Sequence, residues 1–250
     1  MTFGLRLETR DGLESFEAAI PRDERRAFVE SALGVRLRGA LDRETAAAWT
    51  TRVLEAEPDY TYAFGQQASL GIAWYTHLEE GRAREYFERA AASDEVVERR
   101  VPGFRERFVG LVSRALGVSL APRSGYAGPG IHVFAAHGPC ALGGGEVHFD
   151  TEGLPAPYLR DRKPAYTAVL SLSSVTSGGG LRLWDLPYDG HEDPELSRLR
   201  EPCTVSYEPG DLVLFESYRL HQIEPFTGDS ARISATCHVA RLGGAWVYWF

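Results

Sequence analysis

The chain has 250 residues, of which 44% are hydrophobic and 25% charged, and a formal net charge of -8. That length supports one elaborated domain with a sizeable core. The acidic balance, with basic residues spread and never clustered, excludes a partner recognised through phosphate charge such as nucleic acid. No run approaches ~18 apolar residues, and the opening MTFGLRLETRDG has no apolar leader segment, so the expectation is a cytoplasmic protein with no membrane partner. Cys140, Cys203 and Cys237 are odd in number, widely separated and form no CxxC pair, which reads as reduced thiols.

The first 120 residues read as mainly helical. PRDERRAFVESALG and DRETAAAWTTRVLEA place apolar residues at helical spacing and open with Pro or Asp, which suit a first turn. QQASLGIAWYTHLEEGRAREYFERAAAS is predicted as the longest helical stretch, with a break near Gly81. DEVVERRVPGFRERFVGLVSRALG follows, and Pro102 should start a second helix there. After Leu120 the pattern changes to short β-type runs, among them IHVFAAH, GEVHF, AYTAVLSLS, GLRLWD, DLVLFE and RISATCHVA, separated by glycine or proline signals. About nine strands without intervening helices predict an antiparallel sandwich or barrel. The glycine triplets at 143–145 and 178–180 open no helix, so they are expected at turns or close backbone approaches and not around a nucleotide.

Chemistry concentrates at GEVHFDTEG. On a strand, residues i and i+2 share a face, so His148 and Asp150 would project together while Val147 and Phe149 pack. The alternative is a polar strand end followed by a turn. Two ligands are too few for a tight site, and the candidate third is His221, which follows a Pro-Gly turn and an apolar strand. Two histidines and one carboxylate leave open coordination positions and suit non-haem Fe(II). Eleven positions on, Arg232 and Ser234 share one face of RISATCHVA. Arg232, Ser234, Thr236 and His238 are either a wet sheet face or the lining of a barrel, where a guanidinium needs an anion such as a carboxylate.

HFD, the distal His221 and the later RIS, together with GGGLRLWD and EPGDLVLF, resemble the Fe(II)/2-oxoglutarate-dependent oxygenases over roughly residues 131–239. The resemblance implies an α+β fold, residues 1–250 as one domain, with residues 1–120 a helical buttress and 121–250 a double-stranded β-helix (jelly-roll, cupin-like) core. It implies Fe(II) held by His148, Asp150 and His221, and 2-oxoglutarate held by Arg232 and Ser234, with Thr167 beside that site. Dioxygen is then the second cosubstrate, and succinate and CO2 are co-products. The related radical halogenases replace the carboxylate ligand with a small residue, so Asp150 implies hydroxylation of an aliphatic C–H, though desaturation or ring closure uses the same ligands. The size, helical front and aromatic C-terminus resemble the subgroup acting on free amino acids and similar small metabolites, and Trp246 and Arg123 are its candidate substrate contacts. A core tryptophan and a solvated loop arginine are the simpler readings of those two. Two rivals share the barrel: a cupin-type metal dioxygenase that makes no use of 2-oxoglutarate, and a binding module without turnover.

Overall fold

The computed structural model describes residues 4–64, 67–191 and 193–250. Its strands are β1 (Leu7–Asp11), β2 (Gly34–Arg38), β3 (Thr61–Ala63), β4 (Gln67–Leu70), β5 (Leu120–Pro122), β6 (Gly130–Phe134), β7 (Ala165–Ser171), β8 (Ser177–Gly178), β9 (Leu181–Pro187), β10 (Cys203–Val205), β11 (Leu212–Glu216), β12 (Arg219–Ile223), β13 (Phe226–Thr227), β14 (Arg232–Leu242) and β15 (Ala245–Trp249). Eight of them run β1-β2-β11-β7-β14-β6-β4-β3 across a large sheet, which β15 and β5 extend beside β14. A smaller sheet, β10-β9-β12, faces it, and β8 pairs with β13. The fold is therefore α+β with a double-stranded β-helix core, as the β-run spacing and the resemblance predicted.

Burial explains which strands are central. All seven residues of β7 are buried, the signature of a strand covered on both faces. β14 is the longest strand and pairs in turn with β6, β7 and β15. Its Ile233, Ala235, Cys237 and Val239 face a core shared with the helices. The helical layer includes α3 (Arg43–Glu55), α5 (Ala83–Arg100) and α6 (Phe104–Leu116), numbered after α1 (Gly12–Ala19), α2 (Arg25–Glu30) and α4 (Trp74–Glu79). α6 buries Phe104, Phe108, Leu111, Val112, Ala115 and Leu116, an apolar stripe at helical spacing. A second apolar cluster, with Leu181, Leu183 and Val205 against Val169, Val213 and Phe215, ties the small sheet to the large one.

The predicted helix over residues 66–93 divides differently. Gln66 lies outside the described residues, Gln67–Leu70 form a strand, and helix resumes at Trp74. The break expected near Gly81 is present, because Gly81 takes φ 70 between α4 and α5. Four strands, β1 to β4, fall within residues 1–120, and β2 and β4 pair directly with β11 and β6. Sheet pairing overrides the local helical pattern there: QASL is too short to declare its own period. Pro102 precedes a new helix as expected, with Gly103 at φ 75 as its first cap. Among the described residues, no helix is long and apolar enough to cross a membrane.

Candidate active site

His148 and His221 meet as an isolated antiparallel bridge, each backbone N–H donating to the other's carbonyl at 3.0 and 2.9 Å. GEVHF is thus a single bridge, not the regular strand its alternation predicted, yet the bridge fixes the two histidines side by side. The ring centroids are 4.2 Å apart. Each Nδ1 lies 2.9 Å from a backbone carbonyl, Glu146 O for His148 and Arg219 O for His221. A carbonyl only accepts, so both Nδ1 atoms carry a proton and both Nε2 atoms face Asp150; burial works against a charged His148, but the Asp150 carboxylate prevails and raises it to about 9, so a metal there would displace its Nε2 proton. Those Nε2 atoms lie 3.5 and 3.3 Å from the two oxygens of Asp150. One donor atom from each of His148, Asp150 and His221 falls within 4.8 Å of the others. Two imidazole nitrogens and one carboxylate, gathered on one side, fit a divalent non-haem iron.

Asp150 is fixed from behind. Thr167 Oγ1 on β7 donates to Asp150 Oδ2 at 2.6 Å and lies 3.0 Å from Ser217 Oγ, while the backbone N–H of Asp150 donates to Ser217 O at 3.0 Å. Burial works against the charged carboxylate, but the facing imidazoles of His221, His238 and His148 prevail and hold its pKa below the ordinary range. Burial pushes His221 down to about 4, so it stays neutral and ready to ligate.

Arg232 opens β14 and is 3% exposed. Its hydrogen bonds go to neutral oxygens: Nε donates to Gly179 O at 2.8 Å, and the two terminal nitrogens donate to Ser234 Oγ at 3.1 Å and to the Tyr207 hydroxyl. A buried guanidinium held, among the described residues, only by neutral acceptors still lacks its counter-charge. Gly178 and Gly179 take φ 73 and 72, and a Cβ at Gly178 would stand 2.0 Å from Pro225 O, so this glycine triplet serves backbone approach as expected.

These groups share one cavity of about 610 Å³ between the two sheets, a size typical of small-molecule sites. His148, Asp150, His221, Thr167, Arg232, Ser234, Thr236 and His238 all line it, with Phe134, Val169, Leu181 and Leu220 supplying apolar wall. The polar face of β14 is therefore cavity lining and not a wet surface. Residues the sequence did not single out also converge here. His132 on β6 lies opposite Ser234 in the ladder and is held by the Gln67 amide at 3.3 Å, and that amide also donates to the Tyr75 hydroxyl. Burial and the nearby Arg232 lower His132 to about 3. Tyr207 carried no signal, since SYEP reads as a strand end.

The two candidate substrate contacts lie elsewhere. Trp246 on β15 packs on the helical side of the large sheet, beside Tyr166 at 5.8 Å and under the Arg26 guanidinium at 5.1 Å. Arg123 donates to Gly153 O at 2.7 Å and lies over the Tyr126 ring at 3.7 Å and the Trp249 ring at 4.8 Å. Neither is among the residues lining the cavity.

No protein-family model and no curated protein sequence matches the chain. Solved structures do. An N-substituted L-amino acid dioxygenase from Burkholderia ambifaria superposes with TM-score 0.56 at 17% identity, over 92% of this chain and 90% of that one. The epimerase SnoN, in complex with Fe3+, alpha ketoglutarate and nogalamycin RO, gives 0.54 at 17% identity over 90% and 86%. The non-haem alpha ketoglutarate dependent carbocyclase SnoK gives 0.52 at 17% identity over 89% and 87%. The chain has the fold that these oxygenases share.

Proposed function

We propose that the chain is an Fe(II)- and 2-oxoglutarate-dependent dioxygenase that hydroxylates an aliphatic C–H of a small, amino-acid-like metabolite, forming succinate and CO2. One observation carries this reading: a two-histidine, one-carboxylate donor set and a buried arginine with no carboxylate partner among the described residues line the same cavity. His148 and His221 would hold the iron through Nε2 and Asp150 through one carboxylate oxygen. Bound iron would supply the activation of dioxygen, coupled to decarboxylation of the cosubstrate. Arg232, with Ser234 and Tyr207, binds the distal carboxylate of 2-oxoglutarate, whose planar oxygens suit a guanidinium fork. Phe134, Val169, Leu181 and Leu220 keep bulk water from the reacting centre. The aspartate at the third ligand position supports hydroxylation over halogenation.

The shared fold supports the class, and the relatives' names span dioxygenase, epimerase and carbocyclase. The test is substrate-stimulated succinate production across a metabolite panel with Fe(II) and 2-oxoglutarate. Succinate should form with at least one compound and disappear in His148→Ala. Substrate oxidation that proceeds without added 2-oxoglutarate, with 2-oxoglutarate binding unweakened in Arg232→Ala, would instead favour a metal dioxygenase that makes no use of this cosubstrate. No succinate with any compound would favour the binding module.

A further inference from the structure

One wall of the cavity carries a hydrogen-bonded row of three side chains that no step described so far uses. The sheet runs β14-β6-β4, so His132 on β6 lies one strand from Ser234, and Gln67 on β4 lies two. Tyr75 from α4 ends the row, and all three side chains line the cavity. His132 is 7% exposed and packs against the Phe250 ring at 4.8 Å and the Tyr75 ring at 6.0 Å.

Gln67 sets the protons of the other two. An amide nitrogen only donates, so His132 Nδ1, 3.3 Å from Gln67 Nε2, is an acceptor and the ring proton sits on Nε2. The same amide nitrogen donates to the Tyr75 oxygen, which leaves the phenol proton to be given elsewhere. Burial raises the Tyr75 phenol, so it keeps that proton, and burial with the nearby Arg232 lowers His132, so the ring stays neutral. Among the described residues no acceptor takes either proton, and His132 Nε2 is not one of the unpartnered nitrogens sealed inside the protein. Two oriented donors on one wall therefore lack an acceptor that a bound molecule would supply. Resting on the oxygenase reading above, we propose that Tyr75 and His132 donate to a carbonyl oxygen of the substrate, and that Gln67 is the positioning residue that aims both. A carbonyl oxygen has two lone pairs and accepts both bonds; amide, ester and acid carbonyls share that chemistry.

Pentylamine, norleucinamide and norleucine share an amine and a butyl chain and differ in carrying no carbonyl, an amide or a carboxylate. Binding is read anaerobically as the concentration that half-perturbs the visible band of the Fe(II)–2-oxoglutarate complex. At least one carbonyl compound should bind about tenfold or more tightly than pentylamine, and which one does so separates amide from acid. Tyr75→Phe and His132→Phe should each cut that advantage about threefold to tenfold, with no change in the 2-oxoglutarate needed to saturate the band. No advantage in the wild type, or one unmoved in both variants, overturns the proposal. So does a raised 2-oxoglutarate requirement in either variant, which would assign the row to the cosubstrate. A second readout needs neither iron nor probe: in nitrogen-15-labelled protein the His132 ring, identified by its loss in His132→Phe, should be protonated on Nε2 alone, and Gln67→Leu should change that pattern. A proton on Nδ1 of the wild type overturns the proposal whatever the variants do. Absence of the band before any probe is added sinks the oxygenase reading itself, and the two failures are thereby told apart.

Discussion

The two faces of β14 do different work from one backbone. Arg232, Ser234, Thr236 and His238 line the cavity, while Ile233, Ala235, Cys237 and Val239 are buried against the helical layer. The period of two sends alternate side chains to opposite faces. Stability therefore depends on the apolar set and the proposed ligand chemistry on the polar set, and single substitutions test whether the two are separable. The candidate site is positioned by a strand whose other face packs against the helical layer.

The largest effect should come from the metal donors. His221→Ala removes one of three ligands, so turnover should fall to background while the circular dichroism spectrum keeps its native shape. A fully active His221→Ala would remove the proposed iron site. Next, Arg232→Ala should raise the KM for 2-oxoglutarate about 100-fold, since a buried charge-assisted contact is lost. Little change in KM would return the polar face to a merely structural role. Thr167→Val deletes the 2.6 Å bond that orients Asp150 and should weaken Fe(II) binding about tenfold to 100-fold, with Thr167→Ser restoring most of it. Equal weakening in the serine variant would show that packing, not the hydroxyl, matters. Smallest is Ile233→Val on the opposite face, expected to cost about 0.5–1.5 kcal/mol of stability. It should lower Tm with no change in the KM for 2-oxoglutarate, and a shifted KM would show that the faces are coupled.

The donor set was legible because its spacing is local. His148 and Asp150 are two positions apart, and His221 follows a recognisable Pro-Gly turn and apolar strand. Arg232 and Ser234 were legible for the same reason: alternation along one strand places both on one face. What escaped depends on pairing between distant segments. His132 reaches the cavity because β6 pairs with β14, and Gln67 reaches it because β4 pairs with β6. The stretch around Gln67 read as helix, since its apolar residues abut a true helix and the break between them is marked by the single Gly71, which takes φ 99. Tyr207 lies in an irregular segment after β10, where no periodicity applies. Arg123 and Trp246 looked like ligand contacts by residue type alone, and their surroundings are aromatic packing instead.

The central claim is that His148, Asp150 and His221 hold an iron to which 2-oxoglutarate binds from the side of Arg232. The direct measurement is an anaerobic titration of the protein with Fe(II) and 2-oxoglutarate, followed by visible absorption. A weak metal-to-ligand band should appear only with both present, saturate at one of each per chain, and be lost in His148→Ala. A band that survives His148→Ala unchanged, or none in the wild type at saturating Fe(II) and 2-oxoglutarate, would contradict the claim.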